Sequence, residues 1–118
     1  AKLFIYNYTA RAQYSDDWNE ATLTCRGIIT DGEGNIVSRP FKKFFNLEQM
    51  QELPDEPFQV FDKLDGSLGI LFWIDDKPYL ASRGSFISEQ AVEANKILAT
   101  LDTSVLDKSY TYLFEIIY

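Results

Sequence analysis

"VFDKLDGSLGILFWI", Val60 to Ile74, sets Lys63 between Asp62 and Asp65, continues with Gly66, and runs into largely apolar residues. Asp-Gly between alternating hydrophobic runs is the strongest short-range hairpin signal. The plain reading is a β-hairpin that carries Lys63 as a passenger; the other is that the bend exists to hold Lys63. Suppose that Asp65-Gly66 and Asp75-Asp76 are both two-residue loops. Leu64 then faces Ser67, Lys63 faces Leu68, Ile74 faces Lys77, and counting back puts Arg83 opposite Leu68. Directly opposed residues share a face of the sheet. Lys63, Leu68 and Arg83 would form one row, with the two cations about 10 Å apart, or two strand spacings. Asp-Asp is the weaker of the two assumed turns, because it is not a favoured primed pair.

Outward from this stretch, the chain reads as mostly antiparallel sheet. Strands are expected at 3–9, 22–30, 36–42, 58–64, 67–74, 78–84 and 110–118, with "DGEGN" (31–35) as a turn and Pro40 marking a strand end or edge. In "TLTCRGIIT" (22–30), Leu23, Cys25 and Ile29 fall on one side, Thr22, Thr24 and Arg26 on the other. Two helices are expected. Asn46 caps "LEQMQEL" with Gln49 in the capping-box position, and Ser88 caps "EQAVEANKILATL", where Ala91, Ala94, Leu98 and Leu101 recur at helical spacing. "RAQYSDDW" (11–18) reads as loop or a short helix. Strands joined by hairpins, with few helices, define an α+β fold.

The 118 residues, 46% hydrophobic and 15% aromatic, suffice for one packed domain or part of one. The apolar run Leu68 to Ile74 is too short to span a membrane as a helix. Nothing in "AKLFIYNYTA" reads as a signal peptide. Cys25 is the one cysteine, which fits a reducing, cytoplasmic setting. No histidine occurs, so Ser-His and Cys-His pairs are excluded and a structural zinc site is disfavoured. Eighteen acids against eleven bases give a net charge of −7, the opposite of a nonspecific nucleic-acid binder. The densest basic group is local: Arg39, Lys42 and Lys43.

The closing "YTYLFEIIY" (110–118) puts Tyr112, Phe114, Ile116 and Tyr118 on one face and Leu113, Glu115 and Ile117 on the other. With both faces apolar it reads as a core strand holding one acid. An unpaired buried carboxylate costs several kcal/mol or takes up a proton, so Glu115 calls for a cation or ligand hydroxyls as partner. The chain stops within this strand and leaves an open edge, which reads as part of a longer domain.

"KLDGS" (63–67) resembles the K-x-D-G motif of covalent nucleotidyltransferases, "SRGSF" (82–86) their motif Ia, and "LFEIIY" (113–118) their motif III. "CRGII" (25–29) with "RPFKKFFNL" (39–47) narrows the resemblance to the phage-type RNA ligase 1 family. It implies the front part of a nucleotidyltransferase (adenylation) domain over residues 1–118, ending at motif III, with further acidic and paired-lysine motifs downstream. It implies that Lys63 attacks the α-phosphate of ATP, with Mg²⁺, to give a lysine-adenylate. The adenylate passes to an RNA 5′-phosphate, and a 3′-hydroxyl then seals the strand. By the same resemblance Arg26, Lys43, Phe45, Asp65, Gly66, Arg83 and Glu115 bind nucleotide: Arg26 and Lys43 as phosphate-side cations, Phe45 as an aromatic contact, Glu115 at the ribose. Gly66 would let backbone approach the nucleotide, and Asp65 would either assist the lysine or approach the metal. No metal ligands can be assigned. The family often has lysine at the position of Arg83, which keeps the charge but changes the donor geometry.

A lysine attacks only as the neutral amine, and Asp62 and Asp65 favour the ammonium, so something positive must offset them. Ordinary readings stand beside each role. Asp65-Gly66 turns in any protein, Arg26 on a threonine face is usually solvated, Phe44 and Phe45 are usually core, and three clustered cations usually face water. Two functions from different classes follow. One is an ATP-dependent RNA ligase, whose front part alone is expected to form little adduct. The other is a noncatalytic module of the same fold that binds nucleotide, or a protein or second copy through its open edge.

Overall fold

The computed structural model describes residues 2–117. Two antiparallel three-stranded sheets and three helices make up an α+β fold. The first sheet orders β1 (Leu3–Asn7), β2 (Arg26–Asp31) and β3 (Ile36–Ser38) as β1-β2-β3. The second places β4 (Ser67–Ile74) between β5 (Lys77–Ala81) and β6 (Leu113–Ile116). Helices α1 (Ala10–Tyr14) and α2 (Glu20–Thr24) link β1 to β2, and α3 (Glu89–Leu98) follows β5.

β4 explains why "SLGILFWI" is almost continuously apolar: both its faces are covered. Ile70 and Phe72 point into a cluster with Ile29 and Ala81, packed by Leu3, Ile5 and Val37 of the first sheet. Leu71 points the other way, joining Leu80, Ala94, Leu98 and Ile116 under α3. Ile29 and Ile70 are fully buried, each contributing about 1.5–3 kcal/mol of hydrophobic stabilisation. The buried Ser38 hydroxyl donates to the Leu71 carbonyl at 2.7 Å, tying β3 to the second sheet. Helix α3 begins as expected: Ser88 Oγ accepts from the Ala91 N–H at 3.2 Å, and Ala91, Ala94 and Leu98 are buried. It ends at Leu98, so Leu101 lies beyond it and is exposed. Asn95 covers part of β5's outer edge, accepting from the Leu80 N–H at 2.8 Å and donating to the Leu80 carbonyl at 2.9 Å.

Several expectations are corrected. The 58–64 segment is not a strand; it is irregular, and Phe58, Val60, Phe61 and Leu64 are exposed. Asp65-Gly66 therefore closes no hairpin, and Leu64–Ser67 and Lys63–Leu68 are not pairs. β4 instead gives that edge to β6, in the register Ser67↔Ile116 and Leu68↔Glu115. The weaker turn is the one that forms. Ile74 pairs with Lys77, and Asp75 (φ 47°) and Asp76 (φ 70°) both adopt the left-handed conformation of a primed turn.

Residues 20–24 are helix, not strand: the Asn19 side chain accepts from the Thr22 N–H at 3.0 Å, and Thr22 Oγ1 accepts from the Asn19 N–H at 2.8 Å. Thr22 thus serves a cap instead of a sheet face. "LEQMQEL" makes only a 3₁₀ turn at Leu47–Gln49, because Met50 is already extended, although Gln49 does reach back to the Asn46 N–H at 2.9 Å. The third strand stops at Ser38, ahead of Pro40, and the last spans only Leu113–Ile116. Tyr118 lies outside the described residues. Among the described residues no helix is long and apolar enough to cross a membrane.

Candidate functional site

A cleft of about 1130 Å³ opens where the two sheets diverge. Arg26 begins β2, Arg83 sits in the turn after β5, Glu115 lies on β6, and Lys63, Leu64 and Gly66 come from the irregular segment before β4; all line this cleft. The motifs are thus brought together, but by a route other than the expected hairpin.

Glu115 is exposed, not buried. Its strand face is the one that carries Leu113, opposite Ile70, where the first sheet covers it. Leu113 and Leu68 pack against that cluster while also lining the cleft, and at Glu115 the strand face is exposed to it. The acid needs no buried partner; its carboxylate faces solvent and whatever occupies the cleft.

Lys63 stands on the rim. Its side chain is 86% exposed and its Nζ donates to Asp65 Oδ1 at 3.1 Å. A pair so open to water holds the amine only weakly. Gly66 has a packing reason of its own: a Cβ there would lie 2.2 Å from the Ile116 carbonyl oxygen. The bend after Lys63 is pressed directly onto β6, so glycine admits this close approach of two backbones. Gly27, next to Arg26, has φ +91°, and a Cβ on it would lie 2.3 Å from Ile70 Cδ1. The Arg-Gly pair is therefore one place where the backbone of the first sheet is packed directly against a side chain of the second.

Arg26 packs its guanidinium over the Phe44 ring at 5.5 Å, and Phe44 is an exposed wall of the cleft. Arg26 Nε is buried with no partner among the described residues, and the same holds for Oδ1 of Asn7, its cross-strand neighbour. A donor and an acceptor left open beside a cleft suit a polar ligand, since buried polar groups are ordinarily paired.

Lys43 and Phe45 do not line the cleft. They belong to a cluster behind it, with Tyr8 and Trp18. Extended chain puts Lys43 and Phe45 on one side, and the Lys43 N–H donates to the Leu23 carbonyl at 2.8 Å, anchoring the segment to the end of α2. Lys42 points elsewhere and pairs with Glu20 at 2.6 Å on the surface. That contact holds the Glu20 carboxyl below its ordinary range, first by the Lys42 hydrogen bond and then by its charge. Tyr8 and Trp18 went unnoticed in the sequence, and no spacing could have found them: they lie in three-dimensional contact with Lys43 but on separate loops.

Lys63, beside a glycine bend, thus lines one open cleft together with two arginines and a carboxylate. The profile of the RNA ligase family matches residues 24–118, and the chain belongs to that family, the phage RNA ligase 1 type. Among named proteins, the chain is 24% identical to one named bifunctional polynucleotide kinase/RNA ligase from Autographa californica nuclear polyhedrosis virus, over 97% of this chain and 20% of that protein. It is 31% identical to one named RNA ligase from Thermovibrio ammonificans (strain DSM 15698 / JCM 12110 / HB-1), over 78% of this chain and 27% of that protein. The chain thus spans 20% and 27% of the lengths of these curated relatives.

Proposed function

We propose that this chain forms the nucleotide-binding front part of an ATP-dependent RNA ligase that works through a lysine-adenylate. The observation that carries the reading is the convergence of Lys63 with Arg26, Arg83 and Glu115 on one cleft. In the first step the neutral Lys63 amine attacks the α-phosphorus of ATP. A P–N bond forms, the bond to the bridging oxygen breaks, pyrophosphate leaves with its electron pair, and the amine proton goes to solvent. The Asp65 contact must open for this, and exposure of both groups makes that opening cheap. Arg26 and Arg83 balance charge on the phosphates. Glu115 accepts hydrogen bonds from ribose hydroxyls without the cost of burial. In the second step an RNA 5′-phosphate oxygen displaces Lys63 from the adenylyl phosphorus. In the third, an RNA 3′-hydroxyl attacks that 5′-phosphate and AMP leaves.

Mg²⁺ in this reading arrives on the triphosphate, as it commonly does in nucleotide enzymes. Among the described residues no cluster of three or more His, Cys, Asp or Glu stands ready to hold an ion, so no step is assigned to a protein-bound metal. The experiment is intact-mass measurement of the whole protein after incubation with ATP and Mg²⁺. The expected result is an acid-labile gain of one adenylyl group, abolished by Lys63→Ala. An adduct that survives Lys63→Ala would remove Lys63 from the mechanism; no adduct at all would favour the noncatalytic binding module.

A further inference from the structure

Most exposed lysines here are met by carboxylates: Lys42 by Glu20, Lys63 by Asp65, Lys96 by Glu93, Lys108 by Asp76. Lys43 is met by rings. Its Nζ lies 6.0 Å from the centroid of Tyr8, 5.6 Å from Trp18 and 5.3 Å from Phe45. The rings brace one another edge to face, Tyr8 with Trp18 at 5.0 Å and Trp18 with Phe45 at 5.8 Å. Trp18 is oriented in turn by its indole N–H, which donates to Asp16 Oδ1 at 2.7 Å. Tyr8, itself buried, also holds a second cation. The Arg83 guanidinium lies 5.1 Å from the ring centroid, and its Nη1 donates to the Tyr8 hydroxyl at 3.1 Å.

The difference between a carboxylate and a ring matters electrostatically. A carboxylate cancels the monopole of the cation it holds. An aromatic quadrupole attracts the cation at short range but leaves its net charge in place. In a chain of net charge −7, two cations held around one ring keep a patch of uncancelled positive charge next to the cleft that Arg83 lines.

We propose that Tyr8 and Trp18 are positioning residues: their rings cage the Lys43 ammonium behind the cleft, and Tyr8 sets it beside Arg83, so that its uncancelled charge adds to the field that Arg83 presents to the phosphates of the nucleotide. The role in ATP binding rests on the ligase reading above; the cage itself does not. Trp18 closes the cage between Tyr8 and Phe45, so losing its ring frees Lys43. Losing only the Tyr8 hydroxyl frees the Arg83 side and spares the ring.

The test uses the whole protein and two readouts. In the first, KM for ATP and kcat are measured for lysine-adenylate formation. Trp18→Leu is expected to raise KM about tenfold, with kcat changed much less, and Trp18→Phe to restore most of the affinity. Tyr8→Phe is expected to fall between them. A merely structural role would lower the active fraction, hence apparent kcat, and leave KM alone; that result overturns the proposal. In the second, lysines are reductively ¹³C-methylated and the Lys43 signal, assigned by its absence in Lys43→Arg, is read by NMR. Ring currents are expected to shift it upfield, with the shift shrinking in Trp18→Leu. An unshifted Lys43 signal in the unsubstituted protein overturns the cage even if Trp18→Leu cannot be folded. If the unsubstituted protein forms no adenylate, the ligase reading and the ATP role fall together. An adduct with an unshifted signal or an unmoved KM sinks the cage alone.

Discussion

The two Asp-led bends at either end of β4 look alike in sequence and behave oppositely. Asp65-Gly66, with the better turn chemistry, makes no hairpin; Asp75-Asp76, with the poorer, does. The reason lies in what each would pair. β5 brings Leu80 and Ala81 into the two cores, so closing the second hairpin buries apolar surface on both faces of β4. Residues 58–64 compete with β6 for the other edge, and β6 brings Ile116 to one core and Leu113 to the other. The more valuable strand takes the edge, and the Asp-Gly bend is pushed against it. That answers whether the bend serves a hairpin or the lysine. It serves no hairpin, and what it does place, on irregular backbone at the cleft rim, is Lys63.

This contrast can be broken most forcefully at Gly66. Its added Cβ would meet the Ile116 carbonyl oxygen and carbon at 2.2 and 2.9 Å, and neither backbone can retreat without opening the β4–β6 ladder. Gly66→Ala is expected to cost about 3 kcal/mol in urea denaturation, near the upper end for overpacking. If the bend were a free-standing hairpin turn in solution, the same change would be far milder. The next effect sharpens the comparison by treating both bends identically. Asp75→Ala puts a side chain without local hydrogen-bonding capacity at φ 47°, and about 1 kcal/mol is expected to be lost. Asp65→Ala removes only a contact between side chains 86% and 95% exposed, and stability is expected to stay within the error of the measurement. Equal losses at the two sites would mean that Asp65 does turn a hairpin.

The same competition decides what the sequence revealed. Periodicity and capping are local, so α3 with Ser88 was legible, as were β4 and the apolar strands flanking it. Motif spacing was legible too, because Lys63, Arg83 and Glu115 do converge. What failed depended on partners distant in sequence. Glu115 looked buried because both faces of its strand are apolar, yet at Glu115 the strand face is exposed to the cleft. Thr22 and Thr24 alternate as in a strand, but Asn19 captures Thr22 into a helix cap and Thr24 falls in the same helix. Tyr8 and Trp18 were invisible because a cage built from three loops has no period.

A third aspartate turn, "DGEGN", supplies the smallest test and a reference for the other two. Here the carboxylate itself builds the bend: Asp31 Oδ1 accepts from the Glu33 and Asn35 N–H groups at 2.9 Å each, and Oδ2 accepts from Asn35 Nδ2 at 3.0 Å. The Asn35 side-chain bond, followed by the Asn35 backbone bond, holds the Asp31 carboxyl below its ordinary value. A carboxyl whose folded pKa is depressed adds stability that is present above its unfolded pKa, near about 3.9, and lost as pH falls through the folded value. Asn35→Ala removes the leading cause, so the Asp31 carboxyl is expected to titrate at higher pH by NMR and the turn's contribution to fade earlier on acidification. Asp65 accepts from a side chain two residues away instead of from the bend's own N–H groups. Asp75-Asp76 turns by its left-handed backbone and Asp31 by its carboxylate, and an unmoved Asp31 midpoint in Asn35→Ala would remove the carboxylate's part in the "DGEGN" bend.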